Sequence, residues 1–187
     1  MSSDLQCSGR CACGRHRFTV HGSPTNVANC HCAQCRMHSG MPFSTWFTIE
    51  ADQYSGELKQ EIGQSIEKSQ TRDVIIHSTT LSERLFCAKC GTPLLMRYYV
   101  TPKTLHVPLG IVDIAPPSSD DPDGSAMERY GKLKRSFLPR QDIWVSSRAW
   151  YLPPISDMEK QTREQYEEDD ADFMALCHKW QTEHEKQ

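Results

Sequence analysis

No run of apolar residues in this sequence approaches the roughly 18 that a membrane-spanning helix requires, so a span is not expected. The first residues, Met1-Ser2-Ser3-Asp4-Leu5-Gln6, lack the apolar stretch of a secretory signal, which points to a soluble, cytoplasmic protein. A cationic excess is missing too. Lys and Arg number 21 against 24 Asp and Glu, a formal charge of −3, so the overall cationic footprint that nucleic-acid binding needs is not expected. Apolar residues are sparse at 37% of the chain, which predicts a modest core that needs reinforcement. There is no internal repeat and no convincing second domain. The 187 residues read as one domain over 1–155, with a loop near 116–125, and a charged helical extension over 156–187. An even cysteine count is also lacking. Nine cysteines cannot all pair, and in a reducing compartment clustered cysteines bind metal or do chemistry more often than they cross-link.

What the sequence does have is cysteine at metal-ligand spacing. Cys30-His31-Cys32-Ala33-Gln34-Cys35 places three thiols within six positions, followed by Arg36, His38, Ser39 and Gly40. They are too close to serve different ions. Either a fourth protein ligand (Cys7, His31 or His38) closes the site structurally, or the triad leaves one coordination position open, as catalytic zinc sites do. In the open case an incoming thiol would be deprotonated on coordination, ready to attack an electrophilic carbon. Two further pairs, Cys11-Ala12-Cys13-Gly14 and Cys87-Ala88-Lys89-Cys90-Gly91, supply four more thiols. In an extended segment Cys11 and Cys13 would point to one side, and Gly14 frees the backbone to turn. A redox role for Cys87 and Cys90 would call for a βαβ pattern, which is not visible. Spacing alone leaves open which pairs share an ion.

Apolar periodicity is mostly that of strands. Arg17–Val20 alternates, Phe43–Ile49 is aromatic and β-branched, and Asp73–Ser78, Leu94–Val100 and Thr104–Val112 follow, with Leu58–Ile66 a weaker candidate. Ile143-Trp144-Val145 and Trp150-Tyr151-Leu152 are expected to dock on the main body before Pro153-Pro154. From Met158 to about Glu185, Tyr166, Phe173, Leu176, Cys177 and Trp180 sit at roughly helical spacing, predicting one amphipathic helix with Cys177 buried.

In these motifs the chain resembles the glutathione-dependent formaldehyde-activating enzymes, which share their domain with the centromere protein V group. The matching residues are Gly9-x-Cys11-x-Cys13-Gly14 before Arg17-Phe18; Cys30-His31-Cys32-x-x-Cys35-Arg36-x-x-Ser39-Gly40 leading to Phe43 and Trp46; and Arg84-x-Phe86-Cys87-x-x-Cys90-Gly91-Thr92-x-Leu94. Ile143-Trp144-Val145-x-Ser147 through Trp150 looks like the closing segment.

The resemblance implies a mainly-β fold of coiled antiparallel sheets with zinc knuckles, similar to that of the small zinc-binding chaperones of Rab-type GTPases, here with a C-terminal helix. It implies a structural zinc held by Cys11, Cys13, Cys87 and Cys90, and a catalytic zinc held by Cys30, Cys32 and Cys35. It also implies glutathione as co-substrate in a carbon–sulfur lyase reaction run in reverse, forming S-(hydroxymethyl)glutathione. The chain departs from the family pattern at Asp142, where many members carry a histidine.

Glutathione's carboxylates call for arginine. Arg36, directly after the triad, is the first candidate, with Arg84 and Arg97 behind it. His31 and His38 could relay protons. Trp46 and Phe43 are candidates for pocket walls, at least one of them belonging to the core. The competing function is a non-catalytic, zinc-stabilised protein-interaction module.

Overall fold

The computed structural model describes residues 6–60, 74–114, 124–152, 159–161 and 171–184. Among these the protein is mostly β, in two sheets with three α-helices. The smaller sheet contains β1 (Gln6–Arg10), β2 (Arg17–His21), β5 (Tyr54–Gly56) and β10 (Val112–Asp113), in the order β10-β1-β2-β5. The larger contains β3 (Asn26–Cys30), β4 (Ser44–Glu50), β6 (Val74–Ser78), β7 (Ser82–Cys87), β8 (Pro93–Tyr98), β9 (Thr104–Pro108), β11 (Gln141–Ile143) and β12 (Glu159–Gln161), in the order β12-β11-β3-β4-β9-β8-β7-β6. Pairing is antiparallel except around β11, which runs parallel to both β3 and β12. The helices are α1 (Ala33–Ser39), α2 (Ser125–Ser136) and α3 (Ala171–His184).

Period-two alternation builds the core. Phe18 and Val20 on β2, Phe47 and Ile49 on β4, and Leu105 and Val107 on β9 are all buried in one cluster. Phe18 stacks on Tyr54 at 5.4 Å, and Phe47 meets Phe137 edge-on at 4.9 Å. The expected strand at Thr104–Val112 breaks at Pro108, which cannot donate to a ladder. A 3₁₀ turn at Leu109–Ile111 then carries the chain into the smaller sheet at β10.

Several expectations are corrected. Leu58 lies in a 3₁₀ turn, Glu57–Gln60, rather than a strand, and serves as a single buried plug in the core; residues 61–66 fall outside the described residues. The tail is not one helix. Glu159–Gln161 adds a strand beside β11, Tyr166 falls outside the described residues, and α3 begins at Ala171. Trp150 and Tyr151 do not dock: they are 93% and 59% exposed. Helix α2 was not anticipated. Its signal is Tyr130, Leu133 and Phe137 at spacings of three and four, a helical period in an otherwise polar stretch.

Candidate metal centre

Two knuckles of the same construction face each other. At the first, the Cys11 N–H donates to His16 O and the Gly14 N–H to Cys11 O; at the second, the Cys87 N–H donates to Thr92 O and the Gly91 N–H to Cys87 O. Gly14 and Gly91 take the left-handed conformation, with φ of 73° and 71°, which glycine adopts without strain. Cys11 and Cys13 thus converge through a tight turn rather than through an extended segment. The Ala12 N–H donates to Thr92 Oγ1 across the gap at 3.1 Å. All four sulfurs lie within 4.8 Å of one another, with Cys11–Cys13 at 3.5 Å and Cys13–Cys87 at 3.7 Å. Four sulfurs about 2.3 Å from one tetrahedral ion would stand about 3.8 Å apart. The quartet fits a structural zinc.

The triad forms where β3 runs into α1. Cys30 ends the strand, Cys32 caps the helix by accepting the Cys35 N–H at 3.4 Å, and Cys35 lies in the first turn. Their three sulfurs lie within 4.8 Å of one another, and among the described residues no fourth Cys, His, Asp or Glu joins them. Hydrogen bonds from the Cys30 and Cys35 thiols, helped by the Cys35 N–H and the charge of Arg84, hold Cys32 far below the ordinary thiol range despite its burial. The same contacts push Cys30 well above it. A soft cation would displace the remaining protons, as thiolate sites require; the donor set fits zinc.

Neither histidine of the triad stretch completes the set. His31 is fully buried, with Nε2 2.7 Å from Asp142 Oδ1, and its ring packs on Phe43 at 5.2 Å. His38 packs against His77 and Phe86. Cys7 is buried in the core of the smaller sheet, where desolvation pushes its thiol up to about 11.

The triad opens into a cavity of about 950 Å³. Its floor is one face of the larger sheet, formed by alternate residues: Ala28 on β3, Trp46 and Thr48 on β4, His106 on β9, Met96 and Tyr98 on β8, and Arg84 on β7. The opposite faces of the same strands carry the core. Above the floor stand the start of α1, Trp144 and Phe173 of α3. Trp144 is the one non-glycine with positive φ (60°) among the described residues. A bulky residue in that conformation is strained, and such strain gathers at functional sites.

Arg84 is 6% exposed. Its Nη2 donates toward Cys35 Sγ at 3.8 Å and its guanidinium lies 5.5 Å from the centre of the Trp46 ring. Nε and Nη1 are buried without a hydrogen-bond partner. The adjacent carboxylate, Glu83, is taken by Arg97. Arg36 is half-buried on α1 and does not line the cavity. Trp46 does line it, whereas Phe43 packs on His31.

The sequence signature of the glutathione-dependent formaldehyde-activating enzymes matches residues 6–147. The chain belongs to that family. The matched segment contains both cysteine clusters, β1 through β11, α1 and α2; residues 148–187, with β12 and α3, lie beyond it. No curated protein matches the sequence. Among solved structures, a Rhodobacter sphaeroides protein of known crystal structure aligns over 59% of this chain and 91% of its own, at 16% identity and a TM-score of 0.41. No helix among the described residues is long and apolar enough to cross a membrane.

Proposed function

We propose that the protein is a zinc-dependent carbon–sulfur lyase and synthase that joins glutathione to an aldehyde, or cleaves such an adduct. The observation that carries this reading is the position of the triad. Three sulfurs with no fourth described ligand open into a large cavity, while a separate quartet is available to close a structural site. Zinc held by Cys30, Cys32 and Cys35 would keep a thiol ionised at neutral pH. The forward reaction makes one bond, from the thiol sulfur to the carbonyl carbon. The carbonyl π pair moves onto oxygen, which takes up the proton that the thiol released.

The chain's own groups bind and orient. Arg84, which lines the cavity and keeps Nε and Nη1 without a partner, offers a cationic, charge-assisted contact for a carboxylate of glutathione. Burial beside Trp46 strengthens that contact by excluding water. The His31–Asp142 pair fixes the junction that carries Cys30 and Cys32. Residues 1–155 would form the catalytic domain, with the segment 156–187 adding to the cavity wall through Phe173. Glutathione as co-substrate would place the reaction in the cytoplasm.

Calorimetric titration of the zinc-loaded protein with glutathione tests the reading. Saturable binding that disappears in Cys32→Ser supports it; no binding to the wild type would leave a zinc-stabilised interaction module as the better account.

A further inference from the structure

The cavity is much larger than a one-carbon aldehyde requires. Its 950 Å³ stands at the upper end of the roughly 300–1,000 Å³ of small-molecule sites, whereas a one-carbon group is close to a water molecule, about 30 Å³. The floor is also long. Asn26, four residues along β3 from Cys30 and also part of the lining, is about 13 Å away at strand rise. Thr48 pairs with Asn26, His106 with Thr48, and Met96 with His106 across the sheet. Tyr98 lies one alternation further along β8.

This distal wall is uncharged, with a patch of Met96, Tyr98 and Phe173 set among neutral polar groups that include Asn26, Thr48 and Thr104. Tyr98 meets Phe173 edge-on at 5.0 Å and His106 at 5.5 Å, and buried Met96 lines the same face. His106, which bonds Thr48 Oγ1 at 3.1 Å, is pushed down to about 4 by burial and, secondarily, by Arg84; it is neutral at physiological pH. Among the described residues Arg84 is the one formally charged side chain that lines the cavity. Glutathione's charged groups therefore belong at Arg84 and at the solvent-facing mouth, which leaves the distal wall for something without charge. Met96, Tyr98 and His106 lie within the family match, whereas Phe173 comes from α3, outside it, so Phe173 is this chain's addition to the wall.

Building on the glutathione reading, we infer that the carbonyl partner is a bulky, apolar aldehyde whose side group packs against Met96, Tyr98 and Phe173, and that Phe173 is a specificity-determining residue. The product is the corresponding hemithioacetal, with the new carbon–sulfur bond at the triad and the apolar group on the aromatic wall.

Binding of stable adduct mimics to the zinc-loaded protein tests this without turnover. S-benzylglutathione should bind at least about tenfold more tightly than S-methylglutathione, because the ring removes apolar surface from water. Phe173→Ala should reduce that ratio to about three or less, and Phe173→Leu should retain an intermediate ratio; two zinc equivalents in each variant verify folding. Equal affinities in the wild type, with glutathione still binding, would overturn the inference and leave the glutathione reading standing. A ratio unchanged in both folded variants would overturn the role of Phe173. If no glutathione compound binds, both readings fail.

Discussion

His31 Nε2 and Asp142 Oδ1 meet at 2.7 Å between side chains that are both fully buried, 111 residues apart in the chain. The meeting depends on β11 pairing in parallel with β3, which sets Ile143 opposite Cys30 and lets the His31 N–H donate to Ile143 O at 3.0 Å. Asp142 thereby anchors the residue between two triad cysteines. Asp142→Ala would leave a buried imidazole nitrogen unpaired, costing about 2 kcal/mol. Asp142→Asn, which can still accept a hydrogen bond, should cost less than half of that. Urea unfolding of the zinc-loaded variants measures both.

The quartet and the triad should respond differently to loss of one ligand. Cys87→Ser opens the cross-link between the two knuckles, where metal binding is folding free energy. It should lose one zinc equivalent and more than about 3 kcal/mol of stability. Cys32→Ser should lose the other equivalent with a much smaller drop. Metal analysis paired with denaturant unfolding compares them, and equal losses would contradict the division of roles.

Arg84 carries a prediction about substrate binding. Arg84→Gln removes the charge, so KM for glutathione should rise about 10- to 100-fold, the equivalent of one charge-assisted hydrogen-bonded contact. Arg36→Ala should leave KM near the wild-type value, since Arg36 stands outside the cavity. Steady-state kinetics on the two variants decides which arginine meets the substrate.

The sequence makes some of this legible and hides the rest for identifiable reasons. Cysteine spacing and Phe43–Ile49 announce the clusters and a strand because both signals are local. Arg36 follows Cys35 directly, yet one residue along a helix turns a side chain by about 100°, away from the sulfurs. Arg84 reaches Cys35 only because β7 is placed across the sheet from β3. The parallel pairing of β11, the strand at Glu159–Gln161 and the contact of Phe173 with Tyr98 are all long-range and leave no local periodicity. Helix α2 did leave one, in Tyr130, Leu133 and Phe137.

Stability should depend on pH through His106. Its folded value of about 4 lies below the ordinary histidine value of about 6.5, so the unfolded chain binds the proton first. The contribution is fully present above about pH 6.5 and is lost as pH falls towards 4, by up to about 3 kcal/mol. Arg84 is the charged group that adds to the depression. His106→Gln should flatten this part of the stability profile relative to wild type; parallel profiles between pH 7 and 4.5 would contradict the assignment.

The central claim is that Cys30, Cys32 and Cys35 perform chemistry while Cys11, Cys13, Cys87 and Cys90 hold the fold. It is tested most directly by the rate of glutathione–aldehyde adduct formation in wild type and in Cys32→Ser with the quartet loaded. The wild type should accelerate the reaction, and the folded variant should fall to the uncatalysed rate. A folded Cys32→Ser protein that turns over at the wild-type rate would contradict the account.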